Sequence, residues 1–457
     1  MSTEIVILAA GRGTRMRSQL PKVLHKLAGR PLIQHVLAAA AEVAPDRIHV
    51  VVGYGATEVR AALPEDARIV CVEQAEQRGT GHAVLQAMPG VDGNARVLVL
   101  YGDVPLVQAT TLRAVLDAAR DGLAIVTAQP ADPTGLGRII RDQASNIVAV
   151  VEERDASDAQ RAIGEINSGI LAAPVGLLAE LLAGLSDANE QNEVYLTDVV
   201  AAAVDRDVAV AGVAATSELE VCGVNDRRQL AALEREYQRR LADELLLGGT
   251  SLMDPARIDI RGTLRAGTDC VIDVNAVFEG EVMLGDRVEI GPNCLIKDAL
   301  IGDDCRIEAN TVIDGVVFEP GCQVGPFARL RPDTVLAAGV KIGNFVETKK
   351  TRLGPGTKSN HFAYLGDTTT GANCNIGAGT IMCNYDGISK HPTTLGDGVF
   401  IGSNATLVAP VEIGDGGYVA AGSTVTKRVH SDQLAVARAR QRNIEGWTPP
   451  AQRKPAG

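Results

Sequence analysis

Beyond about residue 251, apolar residues recur every six positions, and this period constrains the backbone more than any other feature of the chain. Leu284, Ile290 and Ile296 form one set; Ile301, Ile307 and Ile313 form another; Val324, Leu330, Leu336 and Ile342 form a third. The longest set is Leu395, Ile401, Leu407, Ile413, Val419 and Val425. A hexapeptide period is the signature of a parallel β-helix, in which each unit is a short strand plus a turn. Three units close a triangular coil, with the apolar residue pointing inward. Glycine follows many of these positions (Gly285, Gly291, Gly302, Gly325, Gly343, Gly402, Gly414), which predicts that a small residue lets the chain corner there. A phase slip between Ile342 and Leu353 predicts a turn or bulge. The 13-residue gap from Met382 to Leu395 predicts an inserted loop.

The first half follows another rule. Glu4 to Ala10, Ile48 to Val52, Ile69 to Val72, Val97 to Tyr101 and Ile125 to Ala128 are short apolar runs that predict buried strands. Helical patterns lie between them, such as Leu32 to Val43 and Gly81 to Met88. The alternation predicts a mostly parallel α/β sheet covered on both faces. Asp226 to Leu247 is rich in Leu, Arg and Glu without Gly or Pro, and predicts one amphipathic connector helix ending at Gly248-Gly249. Three segments follow: 1–225, a linker helix over 226–248, and 249–457, ending in a mobile tail from Thr448 to Gly457.

Composition limits the function classes. The 457 residues carry 44 Lys and Arg against 56 Asp and Glu, a net charge of −12. Such a chain lacks the basic footprint that nucleic-acid binding needs, but a local cluster of cations still suits a phosphorylated small substrate. Aromatic residues make up only 3%, so the cores must be aliphatic. The start, Met1-Ser2-Thr3-Glu4, has no basic region, and Ile5 to Ala10 is too short for a signal core or a membrane span. The eight cysteines form no CxxC pair, and read as free thiols in a reducing cytosol.

Two constellations carry chemistry. Leu8-Ala9-Ala10-Gly11-Arg12-Gly13-Thr14-Arg15-Met16 directly follows the first strand, and Pro21-Lys22 comes soon after. A Gly-rich loop at that edge of a parallel sheet is where nucleotides bind. Gly11 and Gly13 let backbone approach phosphate oxygens, while Arg15 and Lys22 answer the charge. The spacing fits neither a P-loop nor a dehydrogenase fingerprint. Asp103, in Tyr101-Gly102-Asp103, ends a buried strand where a carboxylate is placed to bind Mg²⁺ against phosphates. The alternative for Asp103 is a helix cap. Gln74 through Gly81 offers amides for a base edge, or is a surface turn. In the second half, Arg331 to Asp386 breaks the repeat with Arg331, Lys349, Lys350, Arg352 and Lys358. His361 lies among them, and histidine takes a proton near neutral pH unaided.

These residues resemble the sugar nucleotidyltransferases. Over residues 4 to 447 the arrangement looks like the bifunctional N-acetylglucosamine-1-phosphate uridylyltransferase / glucosamine-1-phosphate acetyltransferase family. The resemblance implies a Rossmann-like nucleotidyltransferase domain, a long connector helix and a left-handed parallel β-helix. It implies that Leu8, Ala9, Ala10, Gly11, Gln74, Gly79 and Thr80 hold the uridine, with Tyr101 and Gly102 beside it. Arg15 and Lys22 would act on the phosphates; Gly137, Glu152 and Asn167 would line the sugar site; Asp103 and Asn225 would hold Mg²⁺. In the second half it implies His361 as catalytic base, and Arg331, Lys349, Tyr364 and Asn375 around glucosamine-1-phosphate. Ala378, Asn384, Tyr385, Ser403, Ala421 and Arg438 would meet acetyl-CoA, with Arg440 the alternative to Arg438. UTP and acetyl-CoA are the implied co-substrates, a homotrimer the implied assembly and the cytoplasm the implied compartment, with no nucleic-acid or membrane partner. Two other hypotheses remain: a single-site nucleotidyltransferase with a purely structural β-helix, and a non-catalytic scaffold.

Overall fold

The computed structural model describes residues 2–187 and 193–452. The chain divides into two compact units, Met1–Tyr237 and Gln238–Gly457. The division falls inside a single helix, Arg227–Leu247.

The first unit is built on a nine-stranded sheet. Thr3–Ala9 lies centrally between Arg47–Val52 and Arg96–Tyr101, parallel to both. Its side chains alternate between two cores, with Ile5, Ile7 and Ala9 on one face and Val6, Leu8 and Ala10 on the other. A strand buried on both faces reads as a continuous apolar run, which is why the opening segment is so uniformly aliphatic. The sheet is more mixed than expected. Ile166–Pro174 runs antiparallel between Arg96–Tyr101 and Leu123–Ala128. A hairpin of Arg138–Arg141 and Ile147–Val151 joins its end. Ile69–Glu73 is an edge strand and only half-buried, not a buried one. Helices Leu32–Glu42 and Thr80–Ala87 form where the apolar spacing placed them.

The second unit is a left-handed parallel β-helix. Ile272, Ile290, Ile307, Val324 and Ile342 pair in register along one face, in steps of 17 or 18 residues. The other two faces run through Ile296, Ile313 and Leu330, and through Leu284, Ile301, Phe318 and Leu336. All of these side chains are buried.

Two expectations need correcting. The slip after Ile342 is no bulge, because the inward positions continue through Thr348, Leu353, Ser359, Leu365 and Thr370, all buried. Small hydroxyl residues simply replace aliphatic ones there. Thr348 meets Thr334 Oγ1 to Oγ1 at 3.0 Å. Nor do the glycines after the strands serve as left-handed corners, except Gly325. The corners hold residues such as Asn293, Asp304 and Asn310 at φ near +60°. At Gly302 the limit is the next coil: an added Cβ would lie 2.9 Å from Pro320 N and 3.0 Å from Phe318 O. Gly302→Ala is therefore expected to destabilise this unit by about 2 kcal/mol, read from urea unfolding; wild-type stability would mean the coils can part. The inserted loop is present. Ile376 pairs with Ile401, 25 residues on, and a Tyr385–Lys390 bridge closes the excursion.

Candidate active sites

The first strand lies where the sheet order reverses. The chain proceeds outward through Arg47–Val52 and Ile69–Glu73, then returns to Arg96–Tyr101 on the other side of Thr3–Ala9. A crevice opens at the carboxyl ends of strands at such a switch point. Here it holds a cavity of about 650 Å³. Leu8, Ala9, Ala10, Gly11, Lys22, Gln74, Gly79, Thr80, Tyr101, Asp103 and Asn225 all line it.

Its electrostatics centre on Lys22. The ammonium pairs closely with Asp103 Oδ2 and lies 3.3 Å from Asn225 Oδ1. The Lys22 and Asp103 side chains are only 17% and 13% exposed. Two oxygens thus converge on one cationic centre, an arrangement of hard donors that also suits Mg²⁺ completed by substrate phosphates. Gln74 is buried, donating to Gly79 O at 3.1 Å and bonded to His82 Nδ1 at 3.0 Å. Tyr101 is hydrogen-bonded to Thr80, and burial raises its phenol well above the ordinary value.

Four expected residues lie off the cavity wall among the described residues, and Arg15 is a fifth. Arg15 sits on the exposed single turn Thr14–Met16. Gly102 lies behind the wall, its N–H donating to Leu8 O at 2.9 Å. Gly137, Glu152 and Asn167 form a group of their own. Asn167 N donates to Gly137 O at 2.9 Å, and a Cβ on Gly137 would lie 3.5 Å from both Glu152 carboxylate oxygens. Asn167 Oδ1 is buried without a partner, as expected of a group awaiting a ligand donor. Ser168, next in the chain, lines the cavity and connects the two groups. Burial raises the Glu152 carboxyl above its ordinary pKa, opposed by a 3.0 Å bond from Thr197 Oγ1; Asp198 and Asp155 raise it further.

In the second unit, His361 occupies an exposed corner. Its Nδ1 is 2.7 Å from Asn344 Oδ1, on the preceding coil. An amide oxygen there fixes the proton on Nδ1 and leaves Nε2 as the basic nitrogen. Arg331 Nη1 pairs with Glu347 Oε1 at 2.9 Å, and Glu347 is in register with Tyr364. Lys349 is in register with Gly366, and its ammonium is lowered chiefly by Lys390, with Arg331 and Lys350 adding to the repulsion. Asn384 is buried and donates to Asp367 Oδ2 at 2.5 Å. Tyr385 stands exposed on the inserted loop. Asn375 pairs instead with Lys358 and Phe400 on another face. Ala378, Ser403 and Ala421 follow the paired residues Ile376, Ile401 and Val419 by two positions, so they share one corner. Arg438 Nη1 donates to Ala421 O at 2.8 Å.

Residues 5–243 match the model of the MobA-like NTP transferase domain. Residues 260–358 match the GMPPB C-terminal domain, and 392–427 the bacterial transferase hexapeptide of six repeats. A protein of Marinobacter nauticus named bifunctional protein GlmU is 53% identical over 447 residues, 98% of each chain. Its namesake in Pseudomonas entomophila is 54% identical, covering 98% of this chain and 99% of its own.

The chain belongs to the GlmU family.

A third GlmU, from Alkalilimnicola ehrlichii, is 52% identical over 99% of this chain and 98% of its own. A solved UDP-glucose pyrophosphorylase complexed with UDP-glucose aligns at 16% identity and TM-score 0.44 over 52% of this chain, too distantly to carry an argument. Membership gives a bifunctional acetyltransferase and uridylyltransferase. Among the described residues no helix is long and apolar enough to cross a membrane.

Against this GlmU frame, sequence reasoning missed the residues that hold others in place. Asn344 was legible from the coil period, since it lies 17 residues before His361 at the same corner. Asp367, the partner of Asn384, sits in a Gly-Asp turn that reads as a corner. Thr197 gave no local signal; only the fold brings it to Glu152. Of the tail, residues 453–457 lie outside the described residues. Thr448 to Gln452 is mostly exposed and contains a short turn, Pro450–Gln452.

Proposed function

We propose that the GlmU activities divide between the two units: acetylation of glucosamine-1-phosphate by acetyl-CoA on the β-helix, and UMP transfer from UTP to N-acetylglucosamine-1-phosphate in the first cavity. The observation that carries the division is His361. An exposed imidazole whose Nδ1 is bound by Asn344 has no purpose in a structural coil, and it is poised to accept a proton at Nε2. The glucosamine amine attacks the thioester carbonyl and His361 Nε2 takes its proton; the carbon–sulfur bond then breaks and coenzyme A leaves as the thiol. Lys349, crowded by Lys390, gains from any anion that relieves the repulsion, so it and Arg331 hold the sugar phosphate with Tyr364 and Asn375 nearby. Asn384, anchored by Asp367, orients the thioester. Tyr385 and the corner of Ala378, Ser403, Ala421 and Arg438 take the rest of acetyl-CoA. Arg440 shows no equivalent bond, so Arg438 is the better candidate.

In the first cavity the sugar phosphate oxygen attacks the α-phosphorus of UTP in line and pyrophosphate leaves. Positioning and charge neutralisation supply the rate. Leu8 to Gly11, Gln74, Gly79, Thr80, Tyr101 and Gly102 frame the nucleoside, while Arg15 and Lys22 face phosphate. Asp103 and Asn225 would hold Mg²⁺, which neutralises phosphate charge when bound. Gly137, Glu152 and Asn167 receive the sugar, with Asn167 Oδ1 accepting a donor from it.

Glu152 sets a pH dependence. As a carboxylate it accepts hydrogen bonds from sugar hydroxyls; protonated, it loses that capacity. Because burial raises its pKa, the KM for N-acetylglucosamine-1-phosphate is expected to climb on acidification at a pH above the ordinary Glu value of about 4.3. Thr197→Val removes the bond that lowers this pKa, so the rise should begin at still higher pH. A KM–pH profile with the acid limb of an ordinary carboxylate in both proteins would sink the assignment.

A homotrimer of the β-helix is part of this proposal. Phe327, Phe345 and Phe362 stack at 5.4 and 5.2 Å along the His361 corner, each half-exposed and each at positive φ. An apolar stack beside an exposed base suits cover by a second copy of the chain. The eight free cysteines suit the cytoplasm. The division is tested by thiol release from acetyl-CoA and glucosamine-1-phosphate without UTP. No release from folded protein would leave the β-helix without chemistry.

A further inference from the structure

The turn Gly53-Tyr54-Gly55, which follows the strand Arg47–Val52, is clamped against both ends of the phosphate loop. Tyr54 N donates to Ala10 O at 3.1 Å. Its hydroxyl donates to Gln19 O at 3.3 Å. A Cβ on Gly53 would lie 2.9 Å from Ala10 O, and one on Gly55, which is at φ +65°, would overlap Pro21 Cγ. Both glycines are thus required by close approach to the loop. On the exposed side of this turn, the Arg12 guanidinium lies over the Tyr54 ring, 5.3 Å from its centroid.

Charge bookkeeping singles Arg12 out. Lys22, the cation in the cavity wall, is already answered by Asp103. Arg12, Arg15 and Arg17 make no ion pair among the described residues, and all three are exposed. Only Arg12 adjoins Gly11 on the cavity wall, and only Arg12 is seated on an aromatic ring. In-line attack breaks the bond from the α-phosphorus to its bridging oxygen. The electron pair leaves with pyrophosphate, so charge builds beyond the α-phosphate. A guanidinium can meet that charge with two parallel hydrogen bonds. An exposed cation–π contact is weak beside such a pair, so release from Tyr54 costs little.

We propose that Arg12 grips the β- and γ-phosphates of UTP, and the pyrophosphate of the reverse reaction, and that Tyr54 is the positioning residue that keeps it ready. This rests on uridylyl transfer in the first cavity. The test runs the full chain in reverse, on UDP-N-acetylglucosamine and pyrophosphate. Arg12→Ala should raise the KM for pyrophosphate about ten-fold or more. The KM for UDP-N-acetylglucosamine, which lacks those phosphates, should stay near wild type and so report an intact first unit. Tyr54→Leu should raise the pyrophosphate KM about three-fold. Tyr54→Phe, which keeps the ring and loses only the bond to Gln19, should match wild type. A wild-type pyrophosphate KM in Arg12→Ala overturns the grip, and Tyr54→Phe as impaired as Tyr54→Leu overturns the seat. A wild-type chain that forms no UTP from these substrates overturns the uridylyl-transfer assignment beneath both.

Discussion

Replacing His361 by alanine is expected to slow acetyl transfer by about 10²- to 10⁴-fold, the usual worth of a positioned general base. The side chain is exposed at a corner and bonded only through Nδ1 to Asn344, so its loss leaves no buried partner stranded and the coil should fold as before. Uridylyl transfer, with N-acetylglucosamine-1-phosphate supplied, should be unchanged. Asn344→Ala should give a smaller loss, because the imidazole remains but its tautomer and orientation are no longer set. Thiol release measured beside pyrophosphate release separates the two activities in one preparation. Thiol release at the wild-type rate from His361→Ala would mean that another group deprotonates the amine.

The mirror experiment is Asp103→Asn, which should lower uridylyl transfer by about 10²- to 10³-fold, in the range found for a single lost electrostatic contact in an enclosed site. The substitution preserves shape but removes the charge that Lys22 pairs with and that would hold Mg²⁺. Lys22 then faces Asn225 alone, and the cavity gains a net positive charge. Added magnesium should not restore the rate, and acetyl transfer should stay at its normal level. A wild-type rate at saturating magnesium would remove Asp103 from any part in metal binding.

Much of this architecture was legible because periodicity and strand-end motifs are local signals. The six-residue spacing of Leu395 to Val425 dictates the coil, and the loop from Leu8 to Met16 marks the nucleotide end of the first sheet. What escaped was non-local or chemically disguised. Ile166–Pro174 runs antiparallel within the sheet, and no residue in it announces direction. Thr348, Ser359 and Thr370 hid the period, because buried hydroxyls bonded inside a coil look like surface residues in sequence. Glycines such as Gly302 looked like corners, when in fact the neighbouring coil leaves no room for a side chain. Thr197 and Asn344 touch the residues they hold in place only after folding.

The corner shared by His361, Ala378, Ser403 and Ala421 has a consequence for ligand length. Successive coils stack at about the 4.8 Å spacing of paired strands, so these residues form a ladder with rungs at that interval. From His361 to Ala421 the ladder rises three rungs, about 14 Å. A long, thin ligand lying along it is measured by whole coils, and the fold can change that measure only in whole coils. Removing a single residue from any coil would turn every later inward side chain outward, whereas removing a complete coil would leave the prism intact and shorten the ruler by one mark.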